Sequence, residues 1–147
     1  RRQRQMCIRD SFTVNDVTYS SVEQFMMSEK ARFFGDLDAL EKIMSTHEPR
    51  RQKKIGREVQ NFDADAWMKS CRDIVYPGIL AKFDQSPELL EFLRESGDRI
   101  IAEASPYDRI WGIGLATDDA RATDQANWNG QNFLGELIMR ARKELVK

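Results

Sequence analysis

The chain has 147 residues, 41% of them hydrophobic and 32% charged, the balance of one ordinary globular domain and unlike a disordered or membrane-embedded one. Its 23 Lys and Arg nearly cancel its 24 Asp and Glu, so no global positive charge advertises nucleic acid and any polyanion must be met locally. No run of about 18 apolar residues exists to span a membrane, and no signal-peptide pattern is present. The expectation is a cytoplasmic protein with no membrane partner. Cys7 and Cys71 are the only cysteines and His47 the only histidine, so disulfide frameworks, zinc sites and multi-histidine centres are excluded. HExxH, GxSxG, Walker and GxGxxG motifs are absent as well. An enzyme of this composition must work with carboxylates, amines, amides and aromatic rings, with no metal and no cofactor.

The first eleven residues, RRQRQMCIRDS, carry no strand or helix period and resemble translated linker sequence; a disordered basic tail is the other reading. They hold four arginines and one aspartate, and without them the balance becomes 19 basic against 23 acidic residues, or −4. The remaining domain, residues 12–147, reads as acidic and lacking an N-terminal strand. Phe12 to Tyr19 offers two short β-prone runs around Asn15-Asp16, a hairpin signal. Ser20 stands three residues before Glu23, which predicts a capping box and a helix through Phe34 stopped by Gly35. Asp36 can cap a helix from Leu37 to about Ser45. Pro49 can open another through Val59 carrying Arg50, Arg51, Lys53, Lys54 and Arg57, a cluster that reads first as a solvated face.

From Asp63 to Phe83, Trp67, Cys71, Ile74, Val75, Ile79 and Phe83 recur at helical spacing, with Pro77-Gly78 predicting either two helices or one kinked helix. Ser86-Pro87 starts a helix that Gly97 closes. Ile100 to Ala104 reads as a further short strand. Residues 105–132 are rich in Gly, Asp, Asn and Trp, and a loop of that length in a compact domain is usually functional. Phe133 to Val146 is an amphipathic closing helix. The fold class expected is mainly α with a minor β hairpin or small sheet, in one compact domain.

Two places could carry chemistry. Glu23 and Lys30 lie seven residues apart, on one helix face and about 10 Å apart along its axis, a span that a sugar could bridge. The alternatives are that Glu23 serves the capping box and Lys30 merely solvates the surface. In the loop, Ser105-Pro-Tyr107-Asp108-Arg-Ile-Trp111-Gly112-Ile-Gly114 packs a carboxylate, flat rings and two glycines able to bring backbone close to a ligand. Trp128 to Gly135 then runs into a helix N-terminus, which favours phosphate, unless Asn129 or Asn132 simply caps it.

Taken together, YSSVEQFMMSEKARFFGD, KIGREVQNFDADAW, GILAKFDQSPELLEFL, EASPYDRIWGIG and WNGQNFLGELIMRARKEL resemble the successive signatures of the NADAR, or YbiA-like, superfamily from Phe12 to Leu145. The family's opening strand and Ser-Asn-Phe-like segment are missing from the resemblance, so contacts from that piece are unassigned. The resemblance implies an N-glycosidase acting on ribosyl groups attached through nitrogen. The substrate is then a small phosphoribosyl or ADP-ribosyl molecule, on riboflavin-biosynthesis intermediates or on ADP-ribosylated guanine, with ADP-ribosylated nucleic acid as a further partner. It places Glu23, Lys30, Trp67 and Asp108 at functional positions. Glu23 or Asp108 would stabilise positive charge at the anomeric carbon and activate water. Lys30 would donate a proton, bind phosphate or attack an opened sugar aldehyde. Trp67, Tyr107 or Trp111 could sandwich the base, while Gly112, Gly114 and Asn132 would contact ribose or phosphate. Trp67 on its own reads as core. A non-catalytic ADP-ribose or nucleotide-binding module is the alternative, and a helical scaffold leaves the Gly- and Trp-rich loop without a purpose. Oligomeric state is left open by the sequence.

Overall fold

The structure is a computed structural model that describes residues 11–146, so the expectation for the first eleven residues lies, Ser11 apart, outside the described residues. The described chain forms two compact units, residues 11–86 and 87–146. It is mainly helical, with six α-helices and one two-stranded antiparallel sheet among the described residues. No helix of the described residues is long and apolar enough to cross a membrane.

The first unit opens with β1 (Phe12–Val14) and β2 (Val17–Tyr19), paired Phe12 to Tyr19 and Val14 to Val17. Asn15 and Asp16 both take positive φ, 51° and 67°, the type I′ geometry that matches strand twist. The free edge of β1 is satisfied by Gln85, whose amide accepts from Thr13 N at 2.9 Å and donates to Thr13 O at 2.8 Å. Helix α1 (Val22–Phe33) begins one residue later than expected. Its N-cap is Ser21, which accepts from Gln24 N at 3.1 Å, and Gln24 Oε1 in turn accepts from Ser20 N at 2.7 Å. The box therefore runs through Gln24, not Glu23. The sequence offers both Ser20/Glu23 and Ser21/Gln24, and the tie is broken by Gln24 Nε2, which donates to Ile43 O and Thr46 O, each at 3.1 Å.

At the far end of α1, Gly35 at φ +74° lets Asp36 N reach Ala31 O at 2.9 Å and Gly35 N reach Arg32 O at 3.1 Å, a Schellman stop. Asp36 caps α2 (Leu37–Met44) by accepting from Ala39 N at 3.0 Å. Helix α3 (Pro49–Arg57) has proline in its first turn and no side-chain cap. Helix α4 (Ala64–Asp84), capped by Asp63, runs unbroken through Pro77, which settles the Pro77-Gly78 alternatives in favour of one helix. α3 and α4 both approach α1 through glycine: a Cβ at Gly56 would fall 2.0 Å from Met27 Sδ, and one at Gly78 2.3 Å from the Phe25 ring.

In the second unit α5 (Pro87–Ser96) ends at Gly97 with φ +58°, and α6 (Phe133–Leu145) closes the chain. Residues 100–104 are not a strand. Their backbone is held largely by a side chain: Asn132 Nδ2 donates to Ile101 O and Asn132 Oδ1 accepts from Glu103 N, both at 2.9 Å, with a backbone bond from Ile113 N to Glu103 O beside them. Two 3₁₀ turns, Ala120–Thr123 and Gln125–Asn127, punctuate the long loop.

Candidate functional site

In the first unit the residues singled out gather on α1 and the segment leading into α4. Glu23 is the second residue of α1, outside the capping box and half-buried. Two turns on, Lys30 is half-buried, with Nζ 4.5 Å from the centroid of the Phe62 ring. Burial pulls the Lys30 amine below its ordinary value of 10.5, the Arg57 guanidinium on α3 adds to that pull, and Glu23 opposes both. Of the two readings of Lys30, the solvated surface residue gives way to an amine in a partly dry setting that also feels the Glu23 carboxylate.

Aromatic rings lead from the amine into the core. Phe62 meets Phe34 at 5.3 Å, Phe34 meets Trp67 at 6.2 Å, and Phe33 meets Phe34 at 4.9 Å and Trp67 at 5.9 Å. Trp67 is 6% exposed, the core position its periodicity predicts, and these rings link it to the Lys30 neighbourhood. Phe33 and Phe62, by contrast, are 43% and 46% exposed. Sequence reasoning missed both, and it took Arg57 only as a member of the basic cluster, not as a neighbour of Lys30. Phe62 precedes the N-cap Asp63, where a staple onto Trp67 is the ordinary reading; nothing local tells that Phe34 would lie against both rings.

In the second unit, Asp108 Oδ1 accepts from Ile110 N at 3.0 Å and Trp111 N at 2.8 Å, so the carboxylate shapes its own loop. Trp111 stands edge-on to Phe133 at 5.8 Å, while Tyr107 is 95% exposed. Gly114 takes φ +73°. Gly112 O accepts from Asn132 N at 3.0 Å, and a Cβ at Gly130 would fall 2.2 Å from that same oxygen. Asn132 holds the N-cap position of α6 at φ 56° but makes no side-chain cap; its amide is spent on Ile101 and Glu103. The expected phosphate-ready helix terminus is also corrected, because Phe133 N and Leu134 N are taken by Ile110 O and Trp111 O, each at 3.0 Å.

Two cavities of the first unit are lined by residues other than Glu23 and Lys30. One of about 880 Å³ is lined from α2 and α3 by residues that include Asp38, Glu41, Lys42, Arg51 and Lys54. One of about 330 Å³ lies by the hairpin and includes Tyr19, Glu29, Arg32 and Pro77.

Comparison with known proteins adds to this geometry. The chain is 44% identical over 126 residues to "N-glycosidase R617" of Acanthamoeba polyphaga mimivirus, covering 86% of this chain and 74% of that protein. It is 36% identical to "Protein irg-1" of Caenorhabditis elegans, covering 86% of this chain and 61% of the nematode protein. A 28% identity to "Riboflavin biosynthesis protein PYRR, chloroplastic" of Zea mays covers 88% of this chain and 20% of the plant protein. Among solved structures, that of the E. coli protein YbiA matches with TM-score 0.74 at 24% identity, over 92% of this chain and 73% of that one, which bears out the fold expected from sequence. The NADAR domain model matches residues 3–146, and the chain belongs to the NADAR domain family.

Proposed function

We propose that this chain is an N-glycosidase that hydrolyses the bond between the anomeric carbon of a ribosyl group and the nitrogen of a base or amine. The observation that carries the reading is the α1 pair: a half-buried carboxylate and, two turns on, an amine whose pKa burial and Arg57 lower. Breaking the bond builds positive charge on the anomeric carbon and leaves an electron pair on nitrogen. Glu23 opposes the first charge and takes a proton from the attacking water, whose oxygen bonds to carbon. The Lys30 ammonium gives its proton to the leaving nitrogen, a transfer favoured by its lowered pKa. Water is consumed, a sugar hydroxyl and an N–H are formed, and proton return from Glu23 to Lys30 through solvent resets the pair. The names of the viral protein above and of "N-glycosidase Npun_R5314" from Nostoc punctiforme, 28% identical over 134 residues, support the activity.

Trp67, Tyr107, Asp108, Trp111, Gly112, Gly114 and Asn132 belong to the reading through the family's motifs. Tyr107 and Trp111 would offer ring faces, and Asp108 would set the loop that carries Trp111. A phosphorylated substrate, phosphoribosyl or ADP-ribosyl, is supported by α3, whose Arg50, Arg51, Lys53, Lys54 and Arg57 are all exposed on a helix without an acidic residue. A cytoplasmic setting belongs to the same reading and rests on the cysteine content. Incubation with a phosphoribosylamino-pyrimidine beside ADP-ribosylated guanine, with products read by mass spectrometry, tests the function. Release of free amine or base supports it, whereas tight binding without release favours a non-catalytic module.

The low amine pKa also favours attack by Lys30 on an opened sugar aldehyde, giving an imine with loss of water. The roles separate cleanly. A proton donor is lost in both Lys30→Arg and Lys30→Met without a trappable adduct, since a guanidinium holds its proton too tightly. A phosphate clamp is rescued by arginine. An imine is lost in both variants, and borohydride traps a ribosyl adduct on the wild type.

A further inference from the structure

Phe62 is held where packing alone would not keep it. It leaves 46% of its surface in water, so burial repays little of the cost of ordering it, yet its place is fixed from both sides. Upstream, Gln60 N donates to the Asp36 carboxylate at 2.8 Å, and Asn61 takes the left-handed φ of 63°, a conformation asparagine tolerates better than most residues. Downstream, Asp63 caps α4 by accepting from Ala66 N at 3.1 Å. The ring so placed meets the edge of the Phe33, Phe34 and Trp67 cluster through Phe34, and the Lys30 amine at 4.5 Å.

We propose that Phe62 is a positioning residue for Lys30: the π face of its ring fixes the amine at the mouth of the site and helps it keep its proton until substrate is seated. A cation over a ring is attracted by the ring's negative face, and more strongly as water is excluded. Of the charged groups that bear on Lys30, Arg57 from α3 works against the ammonium and Glu23 from α1 favours it; Phe62 supplies the neutral contribution from the segment ahead of α4. Burial and Arg57 make the amine a better acid, and the ring keeps it from giving the proton up too early. Phe62 acts through Lys30, so its part in catalysis rests on the function proposed above.

Leucine at position 62 covers the amine without a π face, and tryptophan offers a stronger one. Lys30 is titrated by NMR of its ε-carbon in ¹³C-lysine-labelled wild type, Phe62→Leu and Phe62→Trp, with Lys30→Arg to assign the resonance and thermal melts to confirm folding. The Leu variant should titrate about 0.5 to 1.5 pH units lower than wild type and the Trp variant at or above it. At pH values above the wild-type Lys30 titration, where the protonated fraction follows the shift, kcat should fall by up to about tenfold in the Leu variant with KM nearly unchanged, and tryptophan should restore it. A ring that only filled space would give the opposite ranking, with leucine tolerated and tryptophan disruptive. An unchanged Lys30 titration in a folded Leu variant overturns the proposal, and so does a titration that moves while kcat does not. Should Phe62→Leu fail to fold, Phe62→Met carries the same comparison. Because the titration needs no turnover, a wild type without N-glycosidase activity overturns the proposed function and still lets the hold of Phe62 on the amine be read.

Discussion

Glu23 illustrates how a single residue changes meaning once its neighbours are placed. Read along the chain, Ser20 and Glu23 match a capping box; in the structure the box belongs to Ser21 and Gln24, because Gln24 also reaches the carbonyls of Ile43 and Thr46. Those contacts span about twenty residues and leave no trace in local spacing. Glu23→Gln therefore leaves the cap intact, and far-UV circular dichroism should be unchanged while kcat falls by a factor of about 10² or more. Retained activity would remove Glu23 from the reaction. The face shared by Glu23 and Lys30 was legible from the helical repeat, and so was a partly dry place for the amine beside the core, but its neighbours were not, since Arg57 and Phe62 arrive from later segments. That environment has a consequence for stability. The folded amine titrates below the ordinary 10.5, so between the two values the unfolded chain binds more protons, and stability rises with pH across that window. Below it the buried ammonium is a standing cost. Lys30→Met removes the charge at similar length and should melt higher than wild type at pH 7, the gap narrowing as pH approaches 10.5. A variant that melts lower at pH 7 would show that the amine is well compensated where it sits.

Among the elements, hairpin, helices and stops were largely written in local chemistry: Asn15-Asp16 at the turn, Gly35 and Gly97 past helix ends, Asp36 and Asp63 as caps. Residues 100–104 failed as a strand because β-branched residues need a partner strand, and what lies beside them is the Asn132 amide. Helix packing was equally hidden, since a glycine inside a helical pattern looks like a weakness until its neighbour is known. Gly78 is such a case. Alanine there gains up to about 1 kcal/mol of helix propensity, but its Cβ would lie 2.3 Å from the Phe25 ring. That ring cannot swing aside easily, being 3% exposed and in contact with Phe12 and Tyr19 at 6.1 and 4.9 Å. The clash should win, and Gly78→Ala should lose about 1 to 3 kcal/mol in urea unfolding; a stabilised variant would mean that α4 can shift off α1 freely. Asp36 joins elements in a different way, accepting from Ala39 N to cap α2 and from Gln60 N to hold the segment ahead of Phe62. These two bonds lower its pKa below 3.8, so its contribution is present above that value and lost as pH falls through the folded one. Asp36→Asn still caps but cannot titrate, and should lack that component of acid sensitivity in thermal melts at and below pH 4.

For the whole molecule, the family was legible because its signatures are rare residue combinations spread from Phe12 to Leu145, whereas the choice of substrate depends on where charge gathers. Overall charge gives no help, at −1 for the chain and −4 without its first eleven residues. Charge is nevertheless unevenly placed. Five cations stand exposed on α3, the helix buries only Gln52 and Gly56, and among the described residues none of the five forms an ion pair. Arg51 and Lys54 share a cavity lining with Asp38 and Glu41, phosphates would offset the remaining repulsion, and a nucleic-acid backbone would meet several of the cations where a single nucleotide would meet one or two. The two substrate branches therefore differ in their response to salt. For ADP-ribosylated guanine carried in a single strand, kcat/KM should fall steeply between 50 and 200 mM salt, with a log-log slope of about −0.7 for each phosphate engaged. Lys53→Glu combined with Lys54→Glu should flatten that slope by at least about 1.4 and raise KM, leaving kcat alone because neither residue bears on Lys30. For a free phosphoribosylamino-pyrimidine the same double variant should change little, and the salt dependence should be shallow from the start. Equal, shallow slopes for both substrates would mark the α3 face as a solvated surface and assign the site to small metabolites.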